Sequence, residues 1–364
     1  QANVTDNVGV STVFANISYN GVFEKIELAR YAATSIYNAT FTNTSYIGNY
    51  SVRFLANDSA SNLNDTVRTN FSVRDSTIPQ INSFNATPNS TSYKRNITIY
   101  ANVTDNIAVR NVSVAINGQN HSLYLIAGDV YSYSFNTTDY AAGSYNYIIY
   151  ANDTSEPSQS ASPVTGSFTI TQANSTLKLY LNGTQDNRTL PSTQAVNLTA
   201  TLTEPAGNDR IQIYVNGTRA ANSTSPAVNI SIRAVGYYNV TALFPGNTNY
   251  SGGRVTYFLT LNDTEVPVIN NYNTTPETAV YGENITVFAN VTDNVAVTVV
   301  NVSINGTNHT MNPVSGDIYS YVFNTTDYLV GTYNYTLYAL DNNGNVALPQ
   351  NGNFTITKAG SILE

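Results

Sequence analysis

The sequence predicts an all-β chain of tandem two-sheet sandwiches. Three observations carry that expectation. Apolar residues alternate with polar ones, turn residues punctuate the chain about every ten residues, and long segments recur. "GDVYSYSFNTTDY" from Gly128 returns as "GDIYSYVFNTTDY" from Gly316. An offset of 188 carries Asp75 onto Asp263, Asp105 onto Asp293, Asp129 onto Asp317, Gly143 onto Gly331 and Asp153 onto Asp341 without a gap. A shorter offset of 99 lays "ANVTDNVGV" at Ala2 on "ANVTDNIAV" at Ala101.

The elements follow in chain order. Residues 1–74 form a first copy that starts at what the other copies use as their second strand, so this unit is expected to lack its first strand. Residues 75–171 open with the linker "DSTIPQI". Ile97, Ile99, Ala101 and Val103 then point one way, as do Val112, Val114 and Ile116, and Tyr131, Tyr133 and Phe135. A period of two marks half-buried strands. "NTTDY" reads as a crossing loop and "YNYIIYAND" as the next strand.

Residues 172–262 use different words, including "LKLYLNGT" and "IQIYVNGT", and form a second type of unit in which Tyr237, Tyr238 and Phe244 read as core. Residues 263–357 repeat the second unit. Residues 358–364 echo the entry into the third, as "FTITKAGSIL" matches "FTITQANSTL", and read as the start of a further repeat or a strand-donating tail. Asn-Gly at 20, 117, 182, 216 and 305 supplies the pair of positive-φ residues that a type I′ hairpin requires. No window shows helical periodicity.

Composition narrows the function. The chain has 364 residues, 28 Tyr, no Cys and only 10% charged residues, with a net charge of −8. Fifteen scattered Lys and Arg in an acidic chain argue against nucleic acid, which needs clustered cations. Without Cys there are no disulfides or thiolate metal sites. No stretch reaches the length of a membrane helix, and Gln1 is not an initiator, so a processed or excerpted product is expected.

About 35 Asn-x-Ser/Thr triplets occur, roughly threefold more than composition alone gives. They point to dense N-glycosylation of an exported protein, against the plainer reading that Asn and Thr suit polar strand faces and turns. Asn16, Asn85, Asn136, Asn182, Asn216, Asn239, Asn249 and Asn324, placed near expected turns and strand ends, are the acceptors singled out.

In a sandwich of immunoglobulin type the linker, the loop after the second strand and the loop before the last strand meet at one pole. Asp75, Asp105 and Asp153 occupy those places in one copy, and Asp263, Asp293 and Asp341 in another. Each set is a candidate Ca2+ site, with Asn106 or Asn294 and backbone carbonyls completing six to eight oxygens. The alternative is that each Asp only forms its own turn. His121 and His309 stand in corresponding hairpins and read as surface residues. No nucleophile elbow, phosphate loop or His cluster appears, and the expectation is that the chain is not an enzyme.

"DNVAVTVVNVSINGT", "GTYNYTLYALDNNGNVA" and the linkers "DSTIP" and "DTEVP" resemble immunoglobulin-like repeats of prokaryotic surface proteins, especially archaeal cell-surface and S-layer-associated ones. The resemblance implies Ca2+ at the six acids, as in some large bacterial adhesins. The first copy keeps Asp6 and Asp58 but no linker acid. The expectation is an elongated rod of sandwiches at the cell surface, a filament subunit joined to copies of itself by strand complementation. A stalk of a surface adhesin facing the envelope or other cells, and an array of carbohydrate-binding modules, are the alternatives.

Overall fold

In the computed structural model the chain is almost entirely strand and turn, and residues 1–360 are described. The expected tail at 358–364 falls partly on residues outside that range. Residues 358–360 carry no strand. Contacts divide the chain into two compact units, 1–172 and 173 onward, each holding two sandwiches.

In the first unit, Val10–Tyr19 pairs with Val22–Glu27 and Gly48–Asp58, which also pairs with Arg68–Val73. Opposite lies a small sheet in which Ile36–Asn38 joins Ala2–Asn3 to Ala29–Arg30. The second sandwich is fuller. Gln80–Thr87, Asn96–Thr104 and Val130–Asn136 form one layer, while Val109–Ile116, Gly143–Asp153, Val164–Thr171 and Ser90–Ser92 form the other. Gln119–Ala127 crosses between layers, pairing first with Val109–Ile116 and then with Val130–Asn136.

In the second unit, Thr176–Leu181, Val196–Glu204 and Ala227–Ser231 face a five-stranded layer that includes Arg210–Val215, Gly236–Phe244 and Gly253–Asn262. The last sandwich repeats the second: Val268–Thr275, Asn284–Thr292 and Ile318–Asn324 face Val297–Ile304, Gly331–Asp341 and Gln350–Thr357.

The alternation dictates the core. Ile97, Ile99, Ala101, Val103, Val112, Val114 and Ile116 are all buried, as are Ile285, Val287, Val300, Val302 and Ile304 in the repeat. A strand with every second side chain apolar can pack that face against another sheet while its polar face stays wet. The Asn-Gly pairs at 20, 117, 182, 216 and 305 have positive φ at both residues, for example 48° and 80° at Asn117-Gly118, as type I′ turns require. "NTTDY" is a single 3-10 turn at Thr137–Asp139, repeated at Thr325–Asp327. Asn136 and Asn324 cap these turns by accepting from the Thr138 and Thr326 amides.

Each sandwich carries a tyrosine hydroxyl bound four residues back: Tyr50 to the Tyr46 carbonyl, Tyr145 to Ala141, Tyr238 to Ala234 and Tyr333 to Leu329, at 2.8–2.9 Å. This is the tyrosine corner of immunoglobulin-type sandwiches, here also in the third unit despite its different sequence.

Two readings are corrected. Tyr237 is not core: it is 62% exposed and stacks on Phe258 at 5.3 Å, because Tyr238 and Val240 take the inward positions of that strand. His121 and His309 are not simple surface residues. Each is half-buried and stacked on a tyrosine, Tyr133 or Tyr321, whose hydroxyl lies 2.9 or 3.0 Å from Nδ1.

Candidate metal centres

The structure brings the six acids together in two groups of three. In each, carboxylate oxygens lie within 4.8 Å of one another. Asp75 and Asp263 come from the chain leading into a sandwich, Asp105 and Asp293 follow Asn96–Thr104 and Asn284–Thr292, and Asp153 and Asp341 end the long strand before the last.

Local turn chemistry aims each side chain. Oδ1 of Asp105 accepts from the amides of Ile107 and Ala108, and Oδ1 of Asp293 from those of Val295 and Ala296. Oδ1 of Asp75 accepts from Thr77 N and from the Asn106 side chain, and Oδ1 of Asp263 from Glu265 N and Asn294. With Oδ1 committed outward, Oδ2 is turned into the group. The Oδ2 atoms of Asp75, Asp105, Asp263 and Asp293 are buried and have no hydrogen-bond partner.

The third acid of each group is fully engaged. Asp153 accepts from Ser155, Ser158 and the Gln159 amide, and Asp341 from the Asn343 and Asn345 amides and the Asn345 side chain. Burial pushes both carboxyls up, but these donors outweigh it and hold them below the ordinary 3.8. They are charged at neutral pH.

Buried polar atoms are almost always paired. Four orphaned and enclosed carboxylate oxygens, on the buried Asp75 and Asp263 and the half-buried Asp105 and Asp293, therefore mark places where an all-oxygen cation site fits. The acids that form turns alone would need no such convergence.

The other sandwiches differ. In the first, Asp6 is exposed and Asp58 is saturated by Ala60, Asn62 and the Asn62 side chain. Among the described residues neither joins a group of three. In the third, Tyr250 donates to Glu204 at 2.9 Å and Asn247 to Asp209 at 2.9 Å, neutral donors standing where charges gather elsewhere.

The glycosylation candidates are scattered. Asn85, Asn136, Asn182, Asn216, Asn239 and Asn324 are exposed, and Asn249 is half-buried. Asn16 departs from its expected place near a strand end: it sits inside Val10–Tyr19 between two paired strands, half-buried, with its Oδ1 enclosed and unpartnered. Asn239 likewise lies within Gly236–Phe244 rather than at its end. Sequence reasoning missed the Ser155, Gln159 and Asn345 donors, because short polar loops give no periodic signal.

A family described as a bacterial Ig domain matches residues 79–149, inside the second sandwich. No curated protein matches the chain. A tetra-tandem repeat from the extending region of a large adhesion protein is similar at 19% identity, over 98% of this chain and 93% of that one, with a TM-score of 0.44. A Ca2+-stabilized adhesin of an Antarctic bacterium that binds ice is similar at 14% identity, over 98% and 92%, with a TM-score of 0.39. A 1.5-MDa bacterial ice-binding adhesin gives 15% identity, over 76% and 98%, with a TM-score of 0.37. The chain is thus a tandem of immunoglobulin-like β-sandwiches, on its sheet pairing, its tyrosine corners and the family match. No helix among the described residues is long and apolar enough to cross a membrane.

Proposed function

We propose that the chain is a mechanical spacer of an extracellular surface protein, the stalk of an adhesin, in which Ca2+ fastens the entries to the second and fourth sandwiches. The supporting observation is the pair of Asp groups with orphaned, buried Oδ2 atoms. Asp75, Asp105 and Asp153 would hold one ion and Asp263, Asp293 and Asp341 the other. Bound there, Ca2+ supplies a charge link between the incoming chain and two loops of the sandwich it enters. The linker acid then cannot move without breaking metal–oxygen bonds. We take the domain borders at 1–74, 75–171, 172–262 and 263–357, and assign no catalytic step.

The test is single-molecule stretching of the whole chain, with calcium and with chelator. Calcium should raise the force of two unfolding events and leave the others unchanged. Forces that ignore calcium would remove the fastening.

A second reading is a glycosylated filament subunit. Asn96–Thr104 and Asn284–Thr292 are each paired on both sides, whereas the matching Ala2–Asn3 is paired only with Ile36–Asn38. An added strand, from other chain or from another copy, would fill that edge. Filaments in negative stain support this reading, and separate rods support the first. Mass spectrometry of peptides around Asn136 and Asn324 tests the glycans.

A further inference from the structure

The first sandwich is open in two places that the other three close. In the second, Gln80–Thr87 adds to Asn96–Thr104 in one sheet, and Ser90–Ser92 then adds parallel to Val164–Thr171 in the other. Val268–Thr275 and Thr278–Val280 do the same in the fourth, and Thr176–Leu181 and Arg188–Pro191 in the third. One entry segment thus closes an edge of each sheet. In the first sandwich Ala2–Asn3 pairs only with Ile36–Asn38, and Arg68–Val73 only with Gly48–Asp58, so both places are bare.

The opening reaches the core. Ala101, Val103, Ile149, Ala151, Phe168 and Ile170 of the second sandwich are at most 2% exposed. Their counterparts in the first, Ala2, Val4, Phe54, Ala56, Phe71 and Val73, are only half-buried. The first four of these, with Val13 and Val67, line a groove of about 420 Å³. Apolar surface that its own repeat removes from water is left wet here, beside two rows of unpaired backbone N–H and C=O groups.

The repeat also shows what fits. In the second sandwich Ile81 and Phe84 pack on the core and Ala86 is buried in it, and Ile269 and Tyr272 take such places in the fourth. Each described segment of this kind already sits in its own sandwich, so the occupant comes from outside residues 1–360.

We propose that the first sandwich is completed by an entry segment of this repeat type supplied by another molecule. Its chemistry is an extended strand with apolar or aromatic side chains at the places of Ile81, Phe84 and Ala86, followed by a short strand parallel to Arg68–Val73. Main-chain pairing gives such a segment affinity, and the groove selects its side chains. On the second reading above, in which chains join, this segment is what joins them.

A labelled peptide of residues 79–92, PQINSFNATPNSTS, is the probe for the full chain. It should bind one to one, and hydrogen exchange should slow at Ala2–Asn3 and Arg68–Val73 alone. Phe84→Asp in the peptide, which leaves the chain untouched, should weaken binding by at least about tenfold. No binding, binding indifferent to Phe84→Asp, or protection confined to other strands overturns the proposal. Filaments formed by chains that ignore the peptide would keep the filament and remove this segment from it, whereas capture of the peptide by chains that stay separate rods would uphold the groove and remove the filament.

Discussion

The side-chain amide of Asn294 donates to Oδ1 of Asp263 at 3.1 Å, and Asn106 does the same to Asp75 at 3.2 Å. The residue after each loop acid thus grips the linker acid and leaves its Oδ2 facing the other carboxylates. Three carboxylates are held close by neutral donors, a geometry in which like charges repel unless a cation lies between them.

Asp263→Asn should therefore change sign with the medium. In chelator the variant should be as stable as the parent or more so, since a repelling charge is gone. In calcium it should lose the ligand's contribution to the fourth sandwich, about 2.7 kcal/mol when free calcium is a hundredfold above Kd. Urea unfolding in the two media checks both arms.

The pH dependence in chelator follows from Asp153 and Asp341. Burial raises their carboxyl pKa, the surrounding donors lower it more, and the folded value lies below 3.8. A depressed folded pKa gives stability that is present above the unfolded value and lost as pH falls through the folded one. Unfolding midpoints should hold from pH 7 to about 5 and decline below about 4. Asp341→Asn should decline less. With calcium the decline should begin at the same pH, set by the unfolded carboxyls, and run to lower pH with a larger total loss, because the cation competes with protons and lowers the folded carboxyl pKa further.

Gly352 faces the Tyr335 ring across the last two strands of the fourth sandwich, and a Cβ there would lie 2.3 Å from the ring; Gly166 and Tyr147 repeat the pair. Tyr335 is buried, so the ring has no room to retreat. Gly352→Ala should cost about 1–3 kcal/mol. Combining it with Tyr335→Leu should cost less than the sum of the two changes, a coupling that a double-mutant cycle measures.

Tyr333→Phe removes the hydroxyl bound to the Leu329 carbonyl and keeps the ring. The expected loss is about 0.5–1.5 kcal/mol in the fourth sandwich. Tyr238→Phe should lose a similar amount in the third, read from separate calorimetric transitions.

Much of this was legible in the sequence because burial imposes a period of two. Alternate residues from Ile97 to Val103 and from Val112 to Ile116 fell on the core face, and the Asn-Gly pairs at 20, 117, 182, 216 and 305 adopted positive φ. The grouping of Asp75, Asp105 and Asp153 followed from topology, since an immunoglobulin-type sandwich brings a linker and two loops to one end. Period alone failed where a local anchor overrides hydrophobic direction. Tyr237 points outward because Tyr238 takes the inner side, its hydroxyl bound to the Ala234 carbonyl. Asn16 failed for a related reason: a sequon reports chemistry, not position in a paired strand.

Titration calorimetry with calcium is the most direct measurement of the central claim. The intact chain should bind two ions, Asp75→Asn or Asp263→Asn alone should bind one, and the double variant none. Heat indistinguishable from buffer, or uptake unchanged by both substitutions, would contradict it.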